Sequence, residues 1–226
     1  MTRGRMATVM SRTASATEAS SNRSAPAHME LRASTEPAAL DRAAVAFEGG
    51  TLDAVAHAST TTGYVIGHRE EAALVIRLGQ RFGVPAVASC AAAAAALRTH
   101  VVSRVQLVHP PWFDDELDQL GEAYFRSLGF DAVATRANGL PRDPARIGPP
   151  GVIEWVEHHV DDRAEAVLLA GNGFRAAAAI EELETRTGRL VVEANQALLW
   201  GVMAATGTRW DITGHGRLLA DGTSTT

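Results

Sequence analysis

Short apolar runs alternate with longer amphipathic segments along most of the chain. The runs have the length of buried strands and are bounded by Gly, Pro or hydroxyl residues. The predicted strands are Met6–Met10, Ala27–Leu31, Leu52–Ala58, Val84–Ala88, Arg104–Val108, Phe130–Ala134, Ala166–Ala170 and Leu190–Glu193. The predicted helices are a segment opened by Thr35-Glu36-Pro37 with a capping hydroxyl and ended by Gly49-Gly50, then Glu70–Phe82, Cys90–Arg98, Asp114–Leu128, Val152–Val160, Phe174–Thr187 and Asn195–Ala205.

The same order of elements occurs twice. A buried strand leads into a turn of small residues at Ser59 and again at Gly171, and a helix, a glycine and a second strand follow each time. Alternating strands and helices favour parallel sheets covered by helices on both faces. We therefore expect an α/β fold with two similar Rossmann-like lobes that share an inter-lobe cleft.

The predicted boundaries divide the chain into four parts. Residues 1–27 form a flexible N-terminal segment that can include the first strand, and residues 28–100 form lobe 1 with the Ser59 turn. Residues 101–207 form lobe 2 with the Gly171 turn, and its last helix is free to pack back on lobe 1. Residues 208–226 are a tail without a clear hydrophobic period.

Composition and charge exclude several classes of protein. A formal net charge of −5 argues against nucleic-acid binding. No apolar run approaches the length of a membrane span, so no membrane partner is expected. The single cysteine, Cys90, excludes an internal disulfide and is typical of a reducing cytoplasm, where we expect the protein. No spacing of His, Asp and Glu indicates a metal site.

Two turns carry the candidate binding chemistry. Ser59, Thr60 and Thr61 follow a buried strand, so their hydroxyls and backbone N–H groups can face an anion; the alternative is that they only cap a helix. Gly171, Asn172 and Gly173 offer backbone N–H groups at the expected start of the next helix, and the alternative there is a tight turn without a ligand. Two such turns on one cleft suit a substrate with two carboxylates, or with one carboxylate and a developing enolate.

The other candidates each have a structural alternative. His57 lies in a strand and is either a base or a buried core residue. His109 begins a Pro-Pro loop that either aims Trp112 into the cleft or serves as a rigid connector. Cys90 starts a helix, where its thiol either reaches the substrate or packs in the core. Tyr64 and Glu193 complete the set of candidate proton carriers, and Asn195 is a further candidate for substrate binding.

From Leu52 to Gly207 the chain resembles the maleate isomerase and arylmalonate decarboxylase branch of the Asp/Glu racemase superfamily. The matching pieces are Ala56-His57-Ala58-Ser59-Thr60-Thr61 with Gly67, Gly83-Val84-Pro85, the Arg104-Val105 strand with its Pro-aromatic turn, Leu168-Leu169-Ala170-Gly171-Asn172-Gly173-Phe174-Arg175, Glu182–Glu184 with Gly188, and Glu193-Ala194-Asn195-Gln196-Ala197-Leu198-Leu199-Trp200. The resemblance implies two α/β lobes, no metal or organic cofactor, and a small carboxylate as substrate. It also leaves a homodimer or a higher homo-oligomer open.

The chain departs from this family at its two thiol positions. The first falls on Ser59 and the second on Gly171, so neither side chain is a thiol. A serine hydroxyl is far less acidic than a thiol and needs an adjacent base to react. Trp112 stands where relatives have an aromatic hydroxyl, which exchanges a polar contact for an apolar wall. The resemblance therefore implies an isomerase or a decarboxylase acting through an enolate-like intermediate. The alternatives are an inactive carboxylate-binding relative and a biosynthetic enzyme with reassigned chemistry such as cyclisation or dehydration.

Overall fold

The computed structural model describes residues 6–9, 24–47 and 50–220. They form two parallel sheets, one of three strands and one of four, with helices packed on their faces. The strands are β1 (Met6–Val9), β2 (Ala54–His57), β3 (Ala86–Ala88), β4 (Arg104–His109), β5 (Asp131–Arg136), β6 (Ala166–Leu169) and β7 (Leu190–Glu193). The α/β class with parallel sheets, predicted from the alternation, is confirmed.

Nine α-helices are formed by the described residues. They are α1 (Ser24–Ala33), α2 (Pro37–Ala44), α3 (Thr60–Phe82), α4 (Ser89–Thr99), α5 (Asp115–Ser127), α6 (Pro149–His159), α7 (Ile180–Thr187), α8 (Ala194–Ala205) and α9 (Arg217–Ala220). Short 3-10 turns occupy Val45–Phe47, Pro144–Arg146 and Ala177–Ala179.

The first sheet has the order β1-β2-β3, and its central strand β2 is fully buried. The register pairs His57 with Val9 on one side and with Ala88 on the other. The second sheet has the order β5-β4-β6-β7, and β6 and β7 are also fully buried. In both sheets all strands run in one direction, so their carboxyl ends share one edge.

Helix α8 joins the two sheets. It follows β7 of the second sheet, yet Leu198 and Val202 pack with Ala54 and Ala56 of β2 in the first sheet and with Ala58 directly after it. A Cβ at Gly201 would lie 3.0 Å from Val87 Cγ1, so glycine lets α8 approach β3 closely. The last helix of the second half of the chain thus covers the sheet of the first half.

The structure corrects several predicted elements near the N-terminus. Residues 27–31 lie in helix α1 instead of a strand, because the segment is rich in strong helix formers (Ala, Met, Glu, Leu) and β1 already pairs with β2. Thr35 does not cap α2: its hydroxyl donates to the Arg32 carbonyl, and the N-cap is Glu36. Of the predicted N-terminal segment, residues 1–5 and 10–23 lie outside the described residues.

Two helices begin elsewhere than predicted. Helix α3 starts at Thr60, ten residues before the predicted Glu70, and is broken at Gly67, whose φ of 77° is left-handed. Helix α7 starts at Ile180 instead of Phe174, because residues 174–179 form turns and a 3-10 segment. In the tail, α9 buries Leu218 and Leu219, and residues 221–226 lie outside the described part of the chain.

Candidate active site

The two predicted turns meet at the carboxyl ends of the strands. Ser59 follows β2, and Gly171 and Asn172 follow β6. The Thr60 N–H donates to Asn172 Oδ1 over 2.9 Å, a hydrogen bond between residues 112 positions apart. This bond joins the first turn of α3 to the turn after β6, and we call the place where they meet the inter-turn junction.

On the first side of the junction, Ser59 is the N-cap of α3. Its Oγ accepts from the Thr62 N–H at 3.2 Å and lies 2.7 Å from Thr62 Oγ1 and 3.2 Å from Thr61 Oγ1. The Ser59 hydroxyl therefore caps helix α3, as in the structural alternative given above for this turn. Among the described residues, no His, Asp or Glu hydrogen-bonds to Ser59 Oγ, so the hydroxyl has no base to activate it.

On the second side, Asn172 binds residues that follow strands of both sheets. Its Nδ2 donates to Ser89 Oγ at 3.1 Å and to Asn195 Oδ1 at 2.9 Å. Asn195 in turn donates from Nδ2 to the Asn172 carbonyl at 3.1 Å. Ser89 donates to the His57 carbonyl at 3.3 Å, so it connects the end of β2 with the junction.

Several backbone donors of the two turns are unused. The N–H groups of Thr61, Gly171, Asn172 and Gly173 make no hydrogen bond to any described residue. Thr61 lies in the first turn of α3, where helix geometry leaves N–H groups without intrahelical partners. Unused donors that are fixed by the fold can stabilise negative charge without reorganising, which is the requirement for an oxyanion site.

Gly171 itself has no room for a side chain. Its φ is +98°, and a Cβ would lie 3.1 Å from Pro110 Cγ and 3.2 Å from Pro110 Cδ. Two aromatic rings lie beside this turn. Trp112 packs edge-on against Phe174, with ring centroids 6.2 Å apart. The Pro-Pro loop therefore brings Trp112 beside the second turn, and the entry of its ring into a substrate cleft stays a prediction. Helix α7 begins only at Ile180. The N–H groups of Gly171, Asn172 and Gly173 therefore do not lie at the start of a helix, contrary to the prediction.

His109 and Tyr64 lie in a buried network beside the junction. Tyr64 Oη is 3.2 Å from His109 Nε2, and His109 Nδ1 is 2.7 Å from Asp118 Oδ1. Asp118 also pairs with Arg136, and the contacts with His109 and Arg136 hold the pKa of its carboxyl below the usual value against the opposing effect of burial. Burial raises the pKa of Tyr64, so this hydroxyl stays protonated. Neither His109 nor Tyr64 hydrogen-bonds to the hydroxyl turn within the described chain.

His57 is buried at the end of β2. Burial lowers its pKa to about 4, so the imidazole is neutral at physiological pH. Its Nδ1 is buried and has no hydrogen-bond partner among the described residues. The ring is enclosed by strands on both sides, which is the environment of a core histidine.

Cys90 is fully buried in the first turn of α4. Its thiol donates to the Thr60 carbonyl at 3.5 Å, so it touches the first turn of α3 from behind. Burial, with a smaller contribution from the nearby Glu71, raises the pKa of the thiol. The group is therefore a neutral thiol at physiological pH and not a ready nucleophile.

Glu193 is the buried acid closest to the junction in the hydrogen-bond network. It caps α8, accepting from the N–H groups of Asn195 and Gln196 at 2.9 Å each, and it accepts from Asn195 Nδ2 at 2.8 Å. Burial raises its pKa to about 7, with the hydrogen bonds acting in the opposite direction. An acid with this pKa can exchange a proton near neutral pH.

Sequence reasoning missed two polar residues that the fold brings to this region. Ser89 has the signal of a hydroxyl directly after a predicted strand, which places it at the carboxyl edge of the sheet. Glu71 is fully buried, although the run Arg69-Glu70-Glu71 reads as a solvated helix face. Its signal is the spacing to Leu74 and Leu78, which puts it on the buried side of α3.

Within the described part of the chain, a metal site and a membrane-spanning helix are both absent. Among them, no group of three or more His, Cys, Asp and Glu is arranged to hold a metal ion. No helix that they form combines the length and the apolar character that crossing a membrane requires.

Comparisons with known proteins place the chain in a family. Among solved structures, it is similar to an arylmalonate decarboxylase (TM-score 0.72, 22% identity, covering 81% of this chain and 84% of the other). It is also similar to the maleate isomerase Iso from Pseudomonas putida S16 (TM-score 0.75, 20% identity, 87% and 81%). A third similar structure is a mutant of the Nocardia farcinica maleate cis-trans isomerase with a covalently bound succinylcysteine intermediate (TM-score 0.74, 19% identity, 88% and 82%).

The TM-scores of these three structures show that they share the fold of this chain. No curated protein matches the chain. The family model described as arylmalonate decarboxylase matches residues 38–219, which is more than half of the 226 residues and includes both turns of the junction. The chain therefore belongs to the arylmalonate decarboxylase family.

Proposed function

We propose that the protein is a cofactor-independent enzyme that decarboxylates a small dicarboxylic acid of the malonate type through an enolate-like intermediate. The observation that carries the proposal is the set of N–H donors at Thr61, Gly171, Asn172 and Gly173 that bond to none of the described residues, in two turns joined by the Thr60–Asn172 hydrogen bond. Family membership supports the reaction type.

Decarboxylation suits a site that has donors but no thiol at the two turns. One carboxylate leaves as CO₂, and the bonding electron pair remains on the substrate as an enolate whose oxygens carry the negative charge. The unused donors stabilise that charge, and removal of one such donor typically costs about 3–4 kcal/mol of transition-state stabilisation. The α-carbon then takes a proton, from water or from an acid near the junction such as Glu193.

Thiol-dependent isomerisation is a weaker candidate for this chain. The similar Nocardia farcinica structure contains a covalently bound succinylcysteine, so that enzyme forms a carbon–sulfur bond. At the corresponding turns this chain has Ser59, whose hydroxyl is held by Thr61 and Thr62, and Gly171, which has no side chain. Neither can add to a double bond as a thiolate does.

A second candidate is a carboxylate-binding protein without turnover. Asn172 Oδ1 already occupies the Thr60 N–H, and neither turn carries a titratable side chain. A protein that only binds needs no proton carrier, so this arrangement is sufficient for binding. The two candidates differ in one measurable property, which is turnover.

The test is an NMR assay of the purified protein with arylmalonates, maleate and α-amino diacids in deuterated buffer. The proposal predicts that an arylmalonate loses CO₂ and gains deuterium at the α-carbon. Ser59→Ala removes the N-cap that accepts from the Thr62 N–H and so loosens the first turn of α3, in which Thr61 lies. We expect kcat to fall about tenfold, because small displacements of positioning groups lower the rate by about one to two orders of magnitude.

Ser103→Ala is the matched control, since Ser103 is exposed at the amino end of β4, at the opposite edge of the sheet. Its rate is expected to equal that of the unmodified protein. Thermal stabilisation by the dicarboxylates without product would favour the binding protein instead. Equal rates for Ser59→Ala and Ser103→Ala would remove the first turn of α3 from the site.

A further inference from the structure

The imidazole of His109 lies beside the inter-turn junction, and no step of the proposed reaction uses it. His109 ends β4 and is fully buried. Both of its ring nitrogens have partners: Nδ1 lies 2.7 Å from Asp118 Oδ1, and Nε2 lies 3.2 Å from Tyr64 Oη. A buried ring that is held at both nitrogens has one orientation, so it can fix the groups around it.

On one side, the ring reaches the part of α3 that carries the first donor turn. The break at Gly67 divides α3, and we call residues 60–66 its first segment. Tyr64 lies in this segment, one helical turn after Thr60, and its ring centroid is 5.4 Å from that of His109. The first segment is only about two turns long, so a displacement of Tyr64 is transmitted to its N-terminal turn.

On the other side, His109 is joined to the residues that pack on Gly171. Pro110 follows it directly in the chain, and the His109 ring packs against Phe113 with ring centroids 5.2 Å apart. Both neighbours face the second turn, because a Cβ at Gly171 would lie 3.1 Å from the Pro110 ring and 3.5 Å from Phe113 Cζ. His109 therefore lies between the first segment of α3 and the residues that support the second turn.

Helix α5 has a glycine at the place where the two rings meet. Gly121 lies in the middle of α5, where glycine weakens a helix relative to alanine. A Cβ at this position would lie 2.8 Å from His109 Cε1 and 2.8 Å from Tyr64 Cε2, which is closer than side-chain atoms approach. The glycine therefore makes room for the contact between His109 and Tyr64, although it lowers the stability of the helix.

The two hydrogen bonds select one tautomer of a neutral His109 ring. Asp118 also accepts from Arg136, and a carboxylate paired with a guanidinium accepts hydrogen bonds without donating any. Nδ1 of His109 therefore carries the proton and donates to Asp118. Nε2 is then the acceptor for the Tyr64 hydroxyl.

We propose that His109 is a positioning residue, which holds the first segment of α3 against the Pro-Pro loop and so sets the spacing of the two donor turns. Its hydrogen bond to Asp118 fixes the ring, and Nε2 of the fixed ring holds Tyr64. The N–H donors of the two turns then keep the separation that stabilises an enolate-like intermediate. The inference rests on the proposed function where it concerns turnover, and on the geometry alone where it concerns the spacing of the turns.

The experiment compares Tyr64→Phe with Tyr124→Phe as the matched control. Both tyrosines are buried and their rings pack together, but the Tyr124 hydroxyl donates to Glu71 and not to His109. The first readout is the 15N NMR spectrum of the His109 ring, assigned with His109→Gln. In the unmodified protein and in Tyr124→Phe, we expect a single tautomer with a protonated Nδ1 and a hydrogen-bonded Nε2. In Tyr64→Phe, the Nε2 resonance should move towards that of a ring nitrogen without a hydrogen bond.

The second readout is amide hydrogen exchange of Thr60, whose N–H donates to Asn172 across the junction. Loss of the Tyr64 hydroxyl loosens the first segment of α3, so this exchange should become about tenfold faster in Tyr64→Phe. It should stay unchanged in Tyr124→Phe. The rates are compared with those of the buried strand β6, so that a general loss of stability does not count as a local change.

The third readout separates positioning from proton transfer. His109→Gln keeps an acceptor near the place of Nε2 but cannot carry a proton, whereas His109→Ala keeps neither. We expect kcat to fall about tenfold in His109→Ala and in Tyr64→Phe, with KM changed less than about twofold, and to stay within about threefold of the unmodified rate in His109→Gln. An equally low kcat in the glutamine and alanine variants would make His109 a proton carrier and overturn the positioning role.

The outcomes distinguish this inference from the proposed function. If no substrate is turned over, the decarboxylase proposal fails, while the NMR and exchange measurements still decide the role of His109. A protonated Nε2 in the unmodified protein would overturn the positioning role. Equal exchange of Thr60 in the two tyrosine variants would also overturn it.

Discussion

Replacing Gly171 by alanine tests whether the second turn of the junction is built around a missing side chain. A residue other than glycine at φ of +98° is strained, which costs about 1–3 kcal/mol. The new Cβ would also lie 3.1 Å and 3.2 Å from two atoms of the Pro110 ring and 3.5 Å from Phe113 Cζ. At these distances the Pro110 ring has to shift by a few tenths of an ångström. Overpacking of this kind typically adds about 1–3 kcal/mol.

We therefore expect Gly171→Ala to lower the free energy of unfolding by about 2–6 kcal/mol, measured by urea denaturation. Gly173→Ala is the matched control two residues later. Its Cβ would lie 3.7 Å from Trp112 Cζ2, an ordinary contact, and its φ is outside the left-handed region. This control should change stability by less than about 1 kcal/mol.

If Gly171→Ala were as stable as Gly173→Ala, the close approach of Pro110 would not limit this position. The same backbone geometry decides where a thiol could be restored. Cysteine at position 171 would meet the same strain as alanine, whereas Ser59 has an extended backbone (φ −156°) that any residue adopts. The loss of a side chain at the second turn is therefore built into the fold, and the serine at the first turn is not.

Two further predictions concern the junction and its buried acid. Asn172→Ala leaves the Thr60 N–H and Ser89 without their partner, so we expect a loss of about 1–3 kcal/mol in urea denaturation and faster amide exchange at Thr60, while the exposed Asn138→Ala should change neither. Equal stability of these two variants would mean that the hydrogen bonds between the turns contribute nothing. The pKa of Glu193 is raised from 4.5 to about 7, so the folded protein keeps a proton that the unfolded chain has lost, and this contribution to stability is complete below about pH 4.5 and lost as the pH rises through 7. Stability should fall by about 2 kcal/mol between pH 5 and pH 7 because of this group, and Glu193→Gln should show a correspondingly smaller fall; an unchanged slope would contradict the assignment.

The strand pattern was the most predictable part of the fold. Buried strands such as β6 and β7 are continuous apolar runs, and the turns that follow them carry small residues in a local pattern. The pattern misleads where intrinsic preference decides, as in Ala27–Leu31, whose residues favour a helix. It also misses the start of α3, because a run of Ser and Thr residues has no apolar period even when it forms the first helical turn.

The sequence predicts where the inter-turn junction lies but not its hydrogen bonds. Both turns were expected at the carboxyl ends of strands, and the structure puts Thr60 and Asn172 in direct contact there. Which donors remain unused depends on long-range pairing, such as that of Asn172 with Ser89 and Asn195, and no local pattern encodes it. The same holds for Glu71, whose hydrogen-bond partner Tyr124 comes from α5.

The packing of α8 on the first sheet has a consequence for synthesis of the chain. Ala54, Ala56 and Ala58 are covered by Leu198 and Val202, so the first sheet stays partly uncovered until the ribosome has made the chain from Ala88 through Val202. At about 5–20 residues per second, this takes roughly 5–20 s. During that interval the nascent N-terminal half presents an apolar sheet face, which is the kind of surface that chaperones bind. The two halves look alike, but the first cannot complete its core before the second has been made.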